Sequence, residues 1–286
     1  MIRIANHFLN AKPVSLPALS VIVSTYQQPA WLEKVLIGYQ YQQFTDFEVV
    51  IADDGSGERT KTLIEQMRSE VPYTIKHIWH EDDGFRKTII LNRAIQASVA
   101  DYLLFTDGDC IPRADFLEKH LLLREANRFL SGGYYKLPND ISAAITPEDI
   151  ASQSCFRLDW LVAKGLKKSI KNHKLTASST GERLLNLLTP TSATWNGMNS
   201  SGWRKDILAA NGFDERMQYG GEDREMGERM TNAGISGKQI RYSAICLHLH
   251  HERGYVTPEM LQKNAAIRLK TKNNHAEWTT FGIEKW

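Results

Sequence analysis

Short apolar runs rich in β-branched residues recur through the first hundred residues, each followed by a stretch with helical spacing. Leu19–Ser24 (LSVIVS), Phe47–Ala52 (FEVVIA), Tyr73–Trp79 and Tyr102–Phe105 (YLLF) read as strands. Ala30–Gln42, Arg59–Arg68 and Lys87–Ser98 read as helices, the last with Ile90, Ala94 and Ala97 on one side. Ala114–Arg128 is a further helix by its clustered Phe116, Leu117, His120, Leu121 and Leu123. Strands that are apolar throughout, with a helix between each pair, leave little choice: the chain must form an α/β fold, a mainly parallel sheet flanked by helices. Ligands in such sheets bind beyond the carboxyl ends of the strands, so the residues just after each strand carry the functional argument.

The second half is less regular. Cys155–Lys174 reads as a helix turning basic at Lys164, Lys167, Lys168, Lys171 and Lys174. Residues 177–192, rich in Thr and Ser, read as a mobile loop, and Asn196–Gly202 as a tight polar turn. Arg204–Ala210 and Asp223–Asn232 are short helices, Ile240–His248 a late strand, and Pro258–Lys272 a final helix with a basic end. The division expected is an α/β half over 1–136, a second half of the same domain over 137–257, and a helical extension over 258–286.

Charge excludes one class of partner. Lys+Arg number 35 and Asp+Glu 33 in 286 residues, so the basic excess of a nucleic-acid binder is absent. Cys110, Cys155 and Cys246 are odd in number and widely spaced, which argues against a disulfide framework and for a reducing compartment. Met1–Pro13 has no apolar core of a secretory signal, and no apolar run approaches the ~20 residues of a membrane span. The expectation is a cytoplasmic protein with, at most, peripheral contact with a membrane face.

Five clusters offer chemistry. Asp53 and Asp54, after the second strand and before Gly55-Ser56, either build a turn and helix cap or accept hydrogen bonds from a nucleotide. Asp107-Gly108-Asp109, after the fourth strand, sets two carboxylates where they can share a hard divalent cation, Mg²⁺ or Mn²⁺, and the cation can hold a diphosphate. Gly220-Gly221-Glu222-Asp223 opens a helix; its glycines permit close backbone approach, and a carboxylate there can act as general base or as a plain N-terminal acid. In Leu247-His248-Leu249-His250-His251, strand alternation puts His248 and His250 on one face, where either can complete a metal site with Asp109. Arg86 and Lys87, at a helix start, suit phosphate oxygens or simple solvation.

In this order, VIVSTY (21–26), ADDGS (52–56), DGFRK…LNRAI (83–95), YLLFTDGDC (102–110), GGED (220–223) and LHLHH (247–251) resemble the family 2 glycosyltransferases of GT-A fold. Asn196–His251 resembles the galactosyltransferase- and chondroitin-polymerase-type enzymes. The resemblance implies a GT-A type, Rossmann-like sheet with a smaller C-terminal acceptor-side region. It implies an inverting, metal-dependent hexosyl transfer from a nucleotide-sugar, UDP-linked by the same analogy, to a glycan or glycolipid hydroxyl, in bacterial surface polysaccharide or lipopolysaccharide synthesis. The implied donor residues are Thr25, Tyr26, Asp53, Asp54, Arg86, Lys87, Asn92, Asp107 and Gly108. Asp109 with His248 or His250 would hold the metal, Asp223 would be the base, and Glu222 and Gly221 would meet the acceptor. Trp195, Asn199 and Trp203 are further acceptor-side candidates, since aromatics stack on sugar faces. Many relatives have Arg-Asn where Leu91-Asn92 stands, which moves the phosphate contact to Arg86 or Lys87. A nucleotidyltransferase or a non-catalytic carbohydrate-binding protein of the same fold are the competing readings.

Overall fold

The computed structural model describes residues 16–167, 169–252 and 256–285. The expectations on Met1–Pro13 and Lys168 lie outside these residues. Ten strands are described: β1 (Leu19–Thr25), β2 (Phe47–Asp53), β3 (Thr74–Trp79), β4 (Tyr102–Asp107), β5 (Cys110–Pro112), β6 (Arg128–Ser131), β7 (Gly133–Lys136), β8 (Ser200–Trp203), β9 (Ser236–Gln239) and β10 (Ile245–His248). Seven form one sheet in the order β3-β2-β1-β4-β8-β6-β9, and three form a small sheet in the order β5-β10-β7. β3, β2, β1 and β4 run parallel, and β8 alone is antiparallel to its neighbours β4 and β6.

The alternation within β1 explains its continuous apolarity. Leu19, Val21 and Val23 point to one face, where they join Leu32, Val35, Leu36 and Tyr39 of the helix Pro29–Gln40. Ile22 points to the other, with Val50, Ala52 and the Ile90, Leu91, Ala94 and Ile95 stripe of the helix Lys87–Ala97. Both faces are thus dry, which is what crossover helices impose on a parallel sheet. The expected α/β class and helix-flanked, largely parallel sheet are observed. β8, from the second half, is hydrogen-bonded to β4, so the halves share one sheet.

Several sequence-derived elements change. The helix expected over Ala114–Arg128 spans only Phe116–Leu123; Arg124 is extended and the chain becomes β6, drawn out by pairing with β8 and β9. Cys155–Lys174 is not one helix: Leu158–Ala163 ends before Gly165, whose φ of +99° breaks the turn, and Ile170–Asn172 and His173–Thr176 follow as short turns. The stretch read as a loop contains the helix Ser179–Leu187, begun by the Ser178 hydroxyl accepting from Gly181 N. The late strand starts only at Ile245, after the separate strand β9.

One buried ion pair fixes the helix Glu222–Asn232. Arg229 and Glu225 are each 1% exposed and 2.8 Å apart. Arg229 also donates to the carbonyls of Ala210 and Gly212, and Thr271 of the helix Pro258–Asn273 donates to Glu225 (2.8 Å). Arg229→Met leaves the Glu225 charge buried with one hydroxyl for company. We expect a loss of about 3–5 kcal/mol in urea unfolding; a loss under 1 kcal/mol would mean that water takes over the guanidinium's place.

Candidate active site

β1, β2 and β4 end at the same edge, and a cleft of about 480 Å³ opens there. Its walls come from Ser24–Gln28, Asp54, Gly84, Phe85, Lys87, Asp107 to Asp109, Met198, Tyr219 to Asp223, and His248 with His251 and Glu252. The helix Glu222–Asn232 aims its N-terminus into it, after Gly220 and Gly221 at φ +110° and +88°. The φ of Gly220 is one that side chains rarely adopt, so glycine is required there by the backbone.

On the first wall, Asp54 is the carboxylate that reaches the cleft. His80 Nε2 lies 2.8 Å from its Oδ1, and the Arg86 backbone N–H donates to its Oδ2 (3.1 Å). Burial raises its pKa, opposed by His80. Asp53 does not reach the cleft: its Oδ1 accepts from Ser56 N (2.8 Å) and its Oδ2 meets His77 Nε2 (2.9 Å). It builds the turn that presents Asp54. Thr25 and Tyr26 line the cleft; the Thr25 hydroxyl is buried without a partner, and Tyr26 donates to Asp82 (2.9 Å).

At the centre, Asp107 accepts from Ser24 Oγ (2.6 Å) and Lys87 Nζ (2.8 Å). Burial disfavours its charge, yet Lys87 and Ser24 hold its pKa below the usual value. Lys87 is opposed by burial, but Asp107, Asp223 and Glu222 keep its pKa well above normal, so it stays a cation. Gly108 N–H donates to Ser24 O at 2.7 Å, and a Cβ on Gly108 would lie 3.0 Å from the Thr25 hydroxyl. The glycine between the two aspartates therefore lets this loop press against β1.

Asp109 sits beside two imidazoles. His248, at the end of β10, donates Nδ1–H to Leu249 O (2.8 Å), and His251 donates Nδ1–H to Glu252 O (3.1 Å). Each Nδ1 is thereby engaged, and His251 Nε2 is 3.3 Å from Asp109 Oδ2. The two rings stack at 5.4 Å. Burial raises the Asp109 pKa, the nearby histidines opposing it and Asp107 adding to it. Asp109, Cys110 and His248 also bring potential ligand atoms within 4.8 Å of one another, but burial lifts the Cys110 thiol far above its usual range, which makes it the poorest of the set. Asp109 and His248 offer oxygen and nitrogen ligand atoms of the kind that a divalent cation such as Mn²⁺ takes, with the His251 Nε2 against Asp109. His250 is not in the cleft: its N–H donates to Ser142 and its carbonyl accepts from Trp31. The strand ends at His248, so alternation no longer applies, and the following turn brings His251 round instead. The H-x-x-H spacing of 248 and 251 was the available signal.

Across the cleft stand Glu222 and Asp223. Glu222 is pushed up to about 7 by burial and by the charge of Asp223, while accepting from Gly220 N (2.8 Å). Asp223 is also raised, by burial first, with Lys87 opposing. Its Oδ1 is buried without a hydrogen-bond partner, the state of a carboxylate able to accept a proton. Its two oxygens lie 2.8 and 2.9 Å from where a Cβ on Gly197 would stand. Gly197→Ala must displace that carboxylate; we expect turnover to fall at least about tenfold while the melting temperature moves little, and an unchanged rate would show that Asp223 has room to spare.

Several sequence candidates lie elsewhere. Trp195 is wholly buried between Phe105 and Phe129. Asn199, also wholly buried, bonds to His120 and to the carbonyls of Gly133 and Ala244. Trp203 packs on Tyr102 and Arg124 and donates to Glu125 O. Asn92 clasps Phe213 and Glu215, and the Arg86 side chain turns to Glu81 O and Asp83. None of the five side chains reaches the cleft. Besides Tyr26, the aromatics Phe85 and Tyr219 do, edge to face at 5.9 Å. Together with His77, His80 and His251 they are what the sequence reading missed.

Comparison with known proteins agrees with this fold. Residues 20–152 match the model of glycosyl transferase family 2, and residues 189–252 match that of the N-terminal domain of galactosyltransferase. The chain is 25% identical to an uncharacterized glycosyltransferase, YfnE, of Bacillus subtilis (strain 168), covering 89% of this chain and 70% of that one. It is 25% identical to a chondroitin synthase of Escherichia coli, over 80% of this chain but 34% of the synthase. Among solved structures, the mannosyltransferase PcManGT of Pyrobaculum calidifontis, in complex with GDP-Man and Mn²⁺, superposes with a TM-score of 0.56 at 18% identity, covering 85% of this chain and 60% of that one. S. aureus TarS in complex with UDP-GlcNAc gives 0.55 at 17% identity, covering 87% and 64%.

Proposed function

Taking the chain as a member of the family 2 glycosyltransferases, which its family matches show, we propose that it transfers a sugar from a nucleotide-sugar to a hydroxyl of a glycan or glycolipid, with inversion at the anomeric carbon. One observation carries the reading: a donor-side carboxylate, a carboxylate–imidazole cluster suited to a cation, and a carboxylate with one buried, unpartnered oxygen on a helix N-terminus face one another across a single cleft.

In this reading Asp54, held by His80 and the Arg86 N–H, receives the nucleotide base, with Thr25 and Tyr26 beside it. Asp107 is braced by Ser24 and Lys87 and faces the ribose and donor sugar. The Lys87 cation lies where it attracts the diphosphate. A divalent cation bound by Asp109, His248 and His251 would supply positive charge against the departing diphosphate. Asp223 accepts the proton of the acceptor hydroxyl as its oxygen attacks the anomeric carbon; the glycosidic bond forms while the bond to the diphosphate breaks, and that electron pair leaves with the nucleotide. Glu222 and Gly221 border the acceptor, and Phe85 and Tyr219 offer apolar rim to a sugar face. UDP is the nucleotide we favour, by likeness to the UDP-GlcNAc complex above. The acceptor half over 137–257 and the donor half over 1–136 are then two sides of one reaction chamber, and surface polysaccharide or lipopolysaccharide assembly is the process in which such a transfer belongs.

The test is a panel of UDP- and GDP-sugars incubated with the protein and simple glycoside acceptors, with and without Mn²⁺. Nucleoside diphosphate release that requires the metal, with the anomeric configuration inverted in the product, is expected. Cleavage of nucleoside triphosphates to pyrophosphate instead, or binding of glycans with no donor turnover, would sink the proposal.

A further inference from the structure

The helix Ser179–Leu187 is mounted with its polar side inward. Glu182, 6% exposed, pairs with Lys119 Nζ at 2.7 Å and Arg113 Nη2 at 3.6 Å. Asn186 donates to Ser243 Oγ (2.9 Å) and accepts from Tyr242 N (2.9 Å). The leucines face water: Leu184, Leu187 and Leu188 are 55%, 81% and 65% exposed. Their spacing of three and four residues makes one stripe. Single exposed apolar residues are ordinary, but a stripe of them on a helix that turns Glu182 and Asn186 to the protein inverts the usual surface arrangement. Ile170, in the turn before, is 87% exposed.

Charge says what this face meets. Residues 164–191 contain five lysines and Arg183 against a single acid, Glu182, whose charge is already satisfied inside. Lys164, Lys167, Lys171 and Arg183 are exposed. The whole chain has a net charge of only +2, so this stretch holds more positive charge than the rest of the protein leaves over. A second copy pressed face to face here would bring two cationic surfaces together. An anionic bilayer satisfies both features, apolar stripe and surrounding cations. No helix among the described residues is long and apolar enough to cross a membrane, so contact through this face is peripheral.

We infer that the helix Ser179–Leu187 docks on an anionic lipid surface, with Leu184, Leu187 and Leu188 entering the acyl boundary and the neighbouring lysines over the headgroups. The inference does not rest on the transfer reaction, and its test needs no turnover. The full chain is sedimented with vesicles of phosphatidylcholine alone or mixed with phosphatidylglycerol. Binding to the mixed vesicles is expected, weakening as salt rises from about 0.1 to about 0.5 M. Leu187→Ser with Leu188→Ser should cut that partition at least about tenfold, with the thermal melt unchanged because both side chains are exposed. Lys167→Gln with Lys171→Gln should weaken binding to anionic vesicles alone. No partition into the anionic vesicles overturns the inference, as does equal binding by the leucine variant. A wild-type dimer that the leucine variant renders monomeric, with no lipid binding, assigns the face to a second copy and also overturns it.

Discussion

Asp223→Asn is expected to lower kcat by about 10²–10⁴-fold while Mn²⁺-dependent binding of the nucleotide stays within a few-fold of wild type. The substitution keeps shape and hydrogen-bonding size and removes only the capacity to take a proton. The pH profile provides the second half of the test. Burial raises both Glu222 and Asp223, Glu222 to about 7, and each charge raises the other, so the pair holds a proton near neutrality. The base must be ionised, so kcat/KM of the wild type should fall toward acid at a higher pH than an ordinary aspartate would allow, because burial raises Asp223. In the asparagine variant the base is gone, and this limb, which reports the raised carboxyl, should disappear. The same shift has a stability consequence of opposite sense to that of a salt-bridged acid. A raised carboxyl binds protons in the folded state that the unfolded chain has already released, so its contribution falls as pH climbs from about 4.5, the ordinary glutamate value, through about 7. A variant with near wild-type turnover, or an acid limb in the same place, would assign the base elsewhere, with Glu222 the next group to test.

Asp109→Asn should abolish metal-dependent donor binding and lower kcat/KM by about 10³-fold, the several kcal/mol that a cation supplies to a developing diphosphate charge. The residue is 15% exposed, with the His251 Nε2 3.3 Å from its carboxylate and His248 close by. Binding a cation reverses the burial penalty that now raises its pKa, so the site is electrostatically poised for one. Chelation of the wild type should mimic the substitution and have little further effect on the variant. Calorimetry of UDP binding with and without Mn²⁺ decides: affinity that stays metal-dependent in the variant would leave the cation without Asp109 as ligand. His251→Ala should show a milder form of the same loss, and His250→Ala none.

What was legible in the sequence follows from the range of the forces involved. β1 to β4 and their helices were read nearly to the residue, because apolar runs bounded by turn residues encode locally which faces will be covered. The acidic ends of β2 and β4 and the glycines before Asp223 were legible for the same reason. β5, β6 and β7 were not, since three- and four-residue strands carry too little periodicity, and the helix before β6 was read as running to Arg128, the first residue of that strand, although it stops at Leu123. Trp195 and Asn199 were misplaced because an aromatic or an amide looks alike in a core and in a binding wall; only the packing of Phe105 and Phe129, and the His120 ring against Asn199, separates the cases. His251 was lost to an alternation extended two residues past the end of β10, to His250. Asp53 and Asp54 were not separable, because which of two adjacent acids builds the turn depends on His77 and His80, some 25 residues on.

The place of β8 and β10 sets an order of assembly. β1 to β4 pair across crossovers of local sequence, whereas β8 reaches β4 by the match of Trp203 with Tyr102, and β10 reaches β5 by that of His248 with Cys110. Closing such wide loops comes late in folding. The donor-side carboxylates are therefore fixed early, while the histidines that face Asp109 arrive only with the last pairings. A refolding chain should regain its helical signal well before it regains metal-dependent nucleotide binding, and during synthesis the protein stays chemically silent until the ribosome has passed His251.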